Sequence, residues 1–234
     1  MLKPKKKLTK RELKEDPLVT KLGQAEMYYE TNKKYINYGL FAMVAIIVIV
    51  MVYVNNHRKD EEKAATELGK IFMIFDAAAT DKAQYTIAIN GQPERGIMGL
   101  KTIVDNYGST GSGQKARLYL GDAYYNLGQY DDAMRQFDNF SGSDPLLSAS
   151  ALAGVAACYE AKHNYGDAAA KYEKASSVVA IPDAAAEYLN LAAIDYGTAG
   201  QKEKAVTLLK KLKKEYPTTS YARDADRYIT EFSL

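Results

Sequence analysis

From Leu40 to Val52 every residue is apolar, and the longer stretch Tyr35–Val54 (YINYGLFAMVAIIVIVMVYV) contains no charge. Twenty residues at helical rise cover about 30 Å, the hydrocarbon thickness of a bilayer. A soluble helix of that length normally keeps one polar face, and this one has none. A cleavable leader has an apolar core of about 7–15 residues and a small-residue cleavage site. Here the run is longer, and Asn55-Asn56-His57-Arg58-Lys59 offers no such site. Tyr35, Tyr38 and Tyr53 stand near the two ends, where interfacial aromatics belong. The expectation is an uncleaved signal anchor over residues 35–54. Gly39, Ala42, Ile46 and Ile49 are the span positions expected to meet a partner in the bilayer. The span lacks a G-x-x-x-G pair, so it gives no support to self-association.

The formal net charge of +2 hides an uneven distribution. Residues 1–34 hold ten basic and five acidic side chains, whereas residues 60–234 carry five more acids than bases. Lys33 and Lys34 flank the near end of the span, and Arg58, Lys59 and Lys63 at the far end are offset by Asp60, Glu61 and Glu62. Lysine and arginine bias over short loops keeps the near side cytoplasmic. Residues 1–34 then form a basic cytoplasmic head and residues 55–234 an extracytoplasmic body. Lys3, Lys5, Lys6 and Lys7 suit anionic lipid headgroups. A nucleic-acid arm is the competing reading, but no aromatic interleaves these lysines and no reading motif follows. Residues 18–34 offer a surface helix with poor apolar periodicity.

The body repeats. In RLYLGDAYYNLGQYDDAMRQFDNFSGSDP (117–145), Leu120-Gly121, Tyr124, Gly128, Ala133, Phe137 and Pro145 fall at the offsets of the tetratricopeptide pattern L-G-x2-Y…A-x3-F…P. Arg117 stands where the pattern has Trp. Residues 189–217 repeat it with Ala192-Ala193, Tyr196, Gly200, Ala205, Leu209, Leu212 and Pro217. A looser copy at 152–182 has Gly154, Tyr159, Tyr165, Ala168, Tyr172, Ala175 and Pro182. Successive marker alanines (133, 168, 205) lie 35 and 37 residues apart, close to the 34-residue tetratricopeptide period. Small residues let the two helices of a hairpin approach, large ones fill the space around the contact, and proline is expected to end each second helix. A lone hairpin cannot bury its apolar face, so hairpins stack. The predicted fold is all-α: one transmembrane helix, then a tetratricopeptide-repeat solenoid. Its repeats are expected at about 114–145, 148–182 and 186–217, with a capping helix over 219–232.

Upstream, Leu68-Gly69 and Phe72 mark a degenerate repeat over 60–107, with a first helix over Asp60–Ala79 and a second over Glu94–Tyr107. Gly96, Leu100 and Ile103 are its expected packing positions. The insertion 80–93 (TDKAQYTIAINGQP) is not obviously helical, and Tyr85, Ile87 and Ile89 alternate as in a short strand.

No G-x-x-x-x-G-K-[ST], H-E-x-x-H, G-x-S-x-G or paired C-x-x-C occurs. Gly108-Ser-Thr-Gly111-Ser-Gly113 looks like a phosphate cradle but lacks the lysine and the preceding strand, and reads as a turn between helices. One cysteine, Cys158, and two histidines, His57 and His163, are too few for a thiolate or histidine metal centre. Cys158, among alanines, reads as a small buried hydrophobe. No catalytic residue, cofactor, metal, small-molecule substrate or nucleic acid is expected.

Binding is what remains. The concave wall is lined by first helices, at positions one, four and five after the Gly/Ala site. Counted from Gly121, Gly154 and Ala193, these are Asp122, Tyr125 and Asn126; Val155, Cys158 and Tyr159; and Ile194, Gly197 and Thr198. Tyrosines beside polar groups suit an extended or helical peptide, although tyrosines also pack hairpins together. No paired Lys and Asn grip a C-terminal carboxylate there. The order of basic head, single anchor and tetratricopeptide repeats resembles the YfgM-like accessory subunits of the bacterial SecYEG translocon. GIMGLKTIVDNYGSTGSGQKARLYLGDAYYNLGQYDDA is similar to membrane-anchored tetratricopeptide proteins of the Bacteroidota. The resemblance implies residence in the bacterial inner membrane beside SecYEG channel subunits, with the repeats facing the periplasm. Its implied partners are a membrane-anchored periplasmic chaperone or emerging secretory clients. A structural scaffold for a division, secretion or outer-membrane assembly machine is the alternative.

Overall fold

A computed structural model of the protein describes residues 17–233. The clustered lysines Lys3, Lys5, Lys6 and Lys7 lie outside the described residues. Residues up to Asn56 and residues from His57 onward form two compact units. The described part of the first unit is a stretch of helix α1 (Pro17–Ala77). It is long and apolar enough to cross a membrane. Leu40, Ile46 and Ile49 are 54%, 61% and 68% exposed, so no protein core accounts for their apolarity. Residues 18–34 belong to the same helix, and Thr31 Oγ1 and Asn32 Nδ2 donate to the carbonyls of Met27 and Tyr28.

The second unit begins within α1 and continues with α2 (Ala83–Asn90) and α3 (Leu100–Tyr107). Next come the pairs α4 (Gly111–Asn126) with α5 (Tyr130–Asp138), α6 (Pro145–Ala161) with α7 (Tyr165–Val178), and α8 (Pro182–Thr198) with α9 (Lys202–Glu215). α10 (Ser220–Ser233) follows. From α2 onward each helix packs on its sequence neighbours, and α4 also touches α2 and α6, as α8 touches α10. This is an all-α solenoid of helical hairpins. α10 buries Ala222 and Ala225 and exposes Arg223, Asp224, Asp226 and Arg227.

Two of the three repeat prolines act differently from expectation, while Pro217 follows the end of α9 at Glu215. Pro145 and Pro182 are the first residues of α6 and α8, after α5 and α7 have already ended at Asp138 and Val178. The missing N–H costs nothing at a helix's first position. Asp144 caps α6, its Oδ1 accepting from the N–H of Leu146 and Leu147 at 2.8 and 3.2 Å.

The insertion is also corrected. α2 buries Tyr85, Ala88 and Ile89, a helical i, i+3, i+4 set where alternation had suggested a strand. The expected second helix over 94–107 is only α3. Before it, a short antiparallel ribbon pairs β1 (Gly91–Gln92) with β2 (Ile97–Met98) around a 3-10 turn, Pro93–Arg95. Gly96 has φ 66° and forms this turn rather than packing in a helix. The glycine-rich string is a helix start. Thr110 Oγ1 accepts from the Gly113 N–H at 3.0 Å, and Glu61 accepts from the Ser112 N–H (3.0 Å) and hydroxyl (2.6 Å). Burial alone would raise the Glu61 carboxyl, but the Ser112 and Thr110 hydrogen bonds hold it below the usual range. The anion this loop receives is thus the chain's own.

Each hairpin turns on one left-handed residue: Gly128 (φ 75°), His163 (φ 58°) and Gly200 (φ 77°). A β-carbon in this region costs about 1–2 kcal/mol, partly offset by the greater chain freedom of glycine when unfolded. His163→Gly is therefore expected to stabilise the body by about 0.5 kcal/mol. Urea unfolding of the full chain in detergent micelles, followed by far-UV circular dichroism, checks this; a lower midpoint for the variant contradicts it.

Candidate partner-binding groove

The three turns share one hydrogen-bond pattern, and it fixes which residues correspond. The N–H groups of Gln129, Asn164 and Gln201 donate to the carbonyls of Tyr124, Tyr159 and Tyr196. Those of Gly128, His163 and Gly200 donate to Tyr125, Glu160 and Gly197. The residue equivalent to Gly121 and Ala193 in the middle hairpin is therefore Ala156, fully buried, and not Gly154. The first-helix face then consists of Asp122, Tyr125 and Asn126; Ala157, Glu160 and Ala161; and Ile194, Gly197 and Thr198.

This moves the expected middle set by two residues. Val155 and Cys158 are 1% and 0% exposed, in a core with Leu118, Ala133, Phe137 and Ala151. Tyr159 occupies the packing position shared with Tyr124 and Tyr196. Gly154 is small for another reason: a β-carbon there would lie 2.7 Å from the Phe137 ring of the preceding hairpin, which also presses on Gly121. Spacing carried the signal, since Gly154 gives steps of 33 and 39 residues whereas Ala156 gives 35 and 37, matching the marker alanines. Of the other expected residues, Asp122, Tyr125 and Ile194 are half-buried, and Asn126 and Thr198 exposed.

The face has a definite electrostatic character. Asp122 is half-buried and, among the described residues, its carboxylate has no hydrogen bond or ion pair; burial pushes it up to about 6. The Tyr125 ring packs on Tyr130 with centroids 5.5 Å apart, and burial with Glu160 nearby raises its phenol. Glu160 accepts from the Tyr172 hydroxyl at 2.7 Å. Near Glu160, Asp195 is 3% exposed, and burial and the charge of Glu160 push its carboxyl up. Asp195 Oδ2 and the Oδ1 of Asn190, another buried polar group of α8, have no partner. Tyr196 donates to Glu173 (3.1 Å), and Lys204 lies 3.7 Å from that carboxylate and over the Tyr196 ring.

Between α4 and α6 lies a cleft of about 330 Å³ lined by Lys115, Leu118, Tyr119, Asp122, Phe137, Leu147 and Ser150. Cys158 is no nucleophile in this setting, because burial and the Asp122 charge push its thiol up to about 11. Among the described residues, no group of three His, Cys, Asp or Glu side chains is placed to hold a metal ion.

The tetratricopeptide repeat model matches residues 115–145 and 188–219. These fall on α4–α5 and α8–α9, the two hairpins that turn on glycine. The middle hairpin, turning on His163, lies outside the matched segments. No curated protein and no solved structure matches the chain. What the body resembles by sequence and by architecture is therefore one thing, a solenoid of tetratricopeptide repeats of the kind that serves as a protein-interaction module.

Proposed function

We propose that this protein is a membrane-anchored, non-enzymatic interaction module of the bacterial inner membrane. Its N-terminus is cytoplasmic and its repeats are periplasmic. In this reading it is an accessory subunit of the SecYEG translocon: the span lies beside the channel subunits, and the first-helix face receives a membrane-anchored chaperone or an emerging secretory protein. The observation that carries the reading is the order of the chain, one bilayer-length apolar helix followed by tetratricopeptide hairpins. The lysine-rich flank before the span supports the orientation. The resemblance to YfgM-like subunits supports the Sec assignment. Asp122, Tyr125, Asn126, Glu160, Ile194 and Thr198 would meet the partner, and Gly39, Ala42, Ile46 and Ile49 would face the channel.

Photocrosslinking in cells from Ile46 and from Tyr125, read by mass spectrometry, tests it. Sec channel subunits at Ile46, with a chaperone or secretory client at Tyr125, are the expected result. Capture of one non-Sec envelope protein at both positions would replace this reading with the scaffold.

A further inference from the structure

We propose that the cleft between α4 and α6 is a recess for a single lysine or arginine side chain, presented by an extended segment of the partner protein. The inference rests on the first-helix face being the partner surface, and names what that surface selects.

Asp122 carries the charge. Its carboxylate is half-buried at the cleft, without a hydrogen bond or ion pair among the described residues. Lys115 lines the same cleft and, among the described residues, forms no ion pair with Asp122. A carboxylate withdrawn from water without a partner is unfavourable, and a cation from outside relieves this. The rest of the wall suits the stem of such a cation. Leu118, Phe137 and Leu147 offer apolar surface for methylenes, which lysine and arginine bury while their heads reach polar groups. Tyr119 offers a ring face, held in place by Phe72 and Phe75 at centroid distances of 5.3 and 5.0 Å. An ammonium or guanidinium beside such a ring gains a further attraction.

Size and long-range charge agree. At about 330 Å³ the cleft is near the lower bound, about 300 Å³, of pockets that enclose a small molecule, which fits one long side chain and its backbone rather than a helix. Residues 60–234 carry an excess of five acids, so the body's field draws basic segments in and turns acidic ones away.

The test is selection of a displayed library of random 12-residue peptides on the full chain in detergent micelles, at pH 7.5, in parallel on Asp122→Asn. Lysine or arginine is expected at one fixed position of the peptides selected by the wild type, and not of those selected by the variant. In a resynthesised peptide, changing that residue to glutamine should weaken binding to the wild type about tenfold and to Asp122→Asn less than twofold. Enrichment of acidic or purely apolar peptides overturns the proposal. So does the same basic preference on both proteins, or the absence of any enriched sequence. Should partners still crosslink at Tyr125 in any of these cases, the groove stands as a partner surface and only its selectivity for a basic side chain falls. A lysine preference that depends on Asp122, with no Sec component captured at Ile46, removes the translocon assignment alone.

Discussion

Phe137→Ala should lower the stability of the body by about 4 kcal/mol, the usual loss when a buried phenylalanine is truncated. Phe137 is 4% exposed, and its ring fills the space left by two glycines on two different first helices, Gly121 of α4 and Gly154 of α6. It belongs to the second helix of one hairpin and fills a hollow in the first helix of the next. In a stacked array, stability is a sum of hairpin terms and interface terms, and this residue contributes to both. Urea unfolding of the full chain in micelles, followed by far-UV circular dichroism, should therefore show a lower midpoint and a broader transition, as the two sides of the joint lose their cooperativity. Filling the hollow instead should act in the same direction. A β-carbon at Gly121 would stand 2.6 Å from the ring, and Gly121→Val is expected to destabilise by about 2 kcal/mol or more through overpacking. A loss below about 1 kcal/mol for Phe137→Ala would show that the hairpins are coupled elsewhere.

Asp195→Asn is expected to stabilise the same body at neutral pH. Asp195 is buried near Glu160 and its Oδ2 has no hydrogen-bond partner, while Tyr172 donates to Glu160. The Asp195 carboxyl binds a proton more tightly folded than unfolded, where the ordinary value is about 3.9. The folded state therefore holds the extra proton, and stability falls as pH rises from the unfolded value through the raised folded one. Asp122, raised to about 6, works in the same direction. The wild type should be more stable near pH 5 than at pH 8. An amide at 195 needs no proton and can donate to Glu160, so the variant should gain about 2 kcal/mol at pH 8 and lose most of the slope. Parallel urea titrations at the two pH values check this. A variant less stable than the wild type at pH 8 would mean that an ionised Asp195 is supported by a partner.

The hairpins were legible because each needs the same few residues at the same offsets. Gly128 and Gly200 mark the turns, and Ala133, Ala168 and Ala205 mark close helix contacts. The region before Tyr107 was less legible because it follows no repeat. In TDKAQYTIAINGQP both helical and alternating patterns place apolar residues inside, and only the packing of Tyr85, Ala88 and Ile89 into one core decides between them. On the first-helix face, the first and last hairpins share one register relative to their turns. The expected middle set was displaced because Gly154 resembles the pattern's glycine yet serves Phe137. The Glu160–Asp195 pair was invisible in sequence, since 35 residues separate two ordinary-looking acids that only stacking brings together.

The shared turns have a further consequence, for how such a chain lengthens. Gly128, His163 and Gly200 occupy the same joint in successive hairpins, 35 and 37 positions apart. A cut made at one joint and rejoined at another preserves the turn, the helix direction and the kind of surface that meets across the seam. Copying residues 129–163 or 164–200 therefore adds one whole step to the groove, and no shorter duplication does. Growth and loss by gene duplication come in that unit, and a graft between two such proteins should be spliced at the left-handed residue rather than at a helix end.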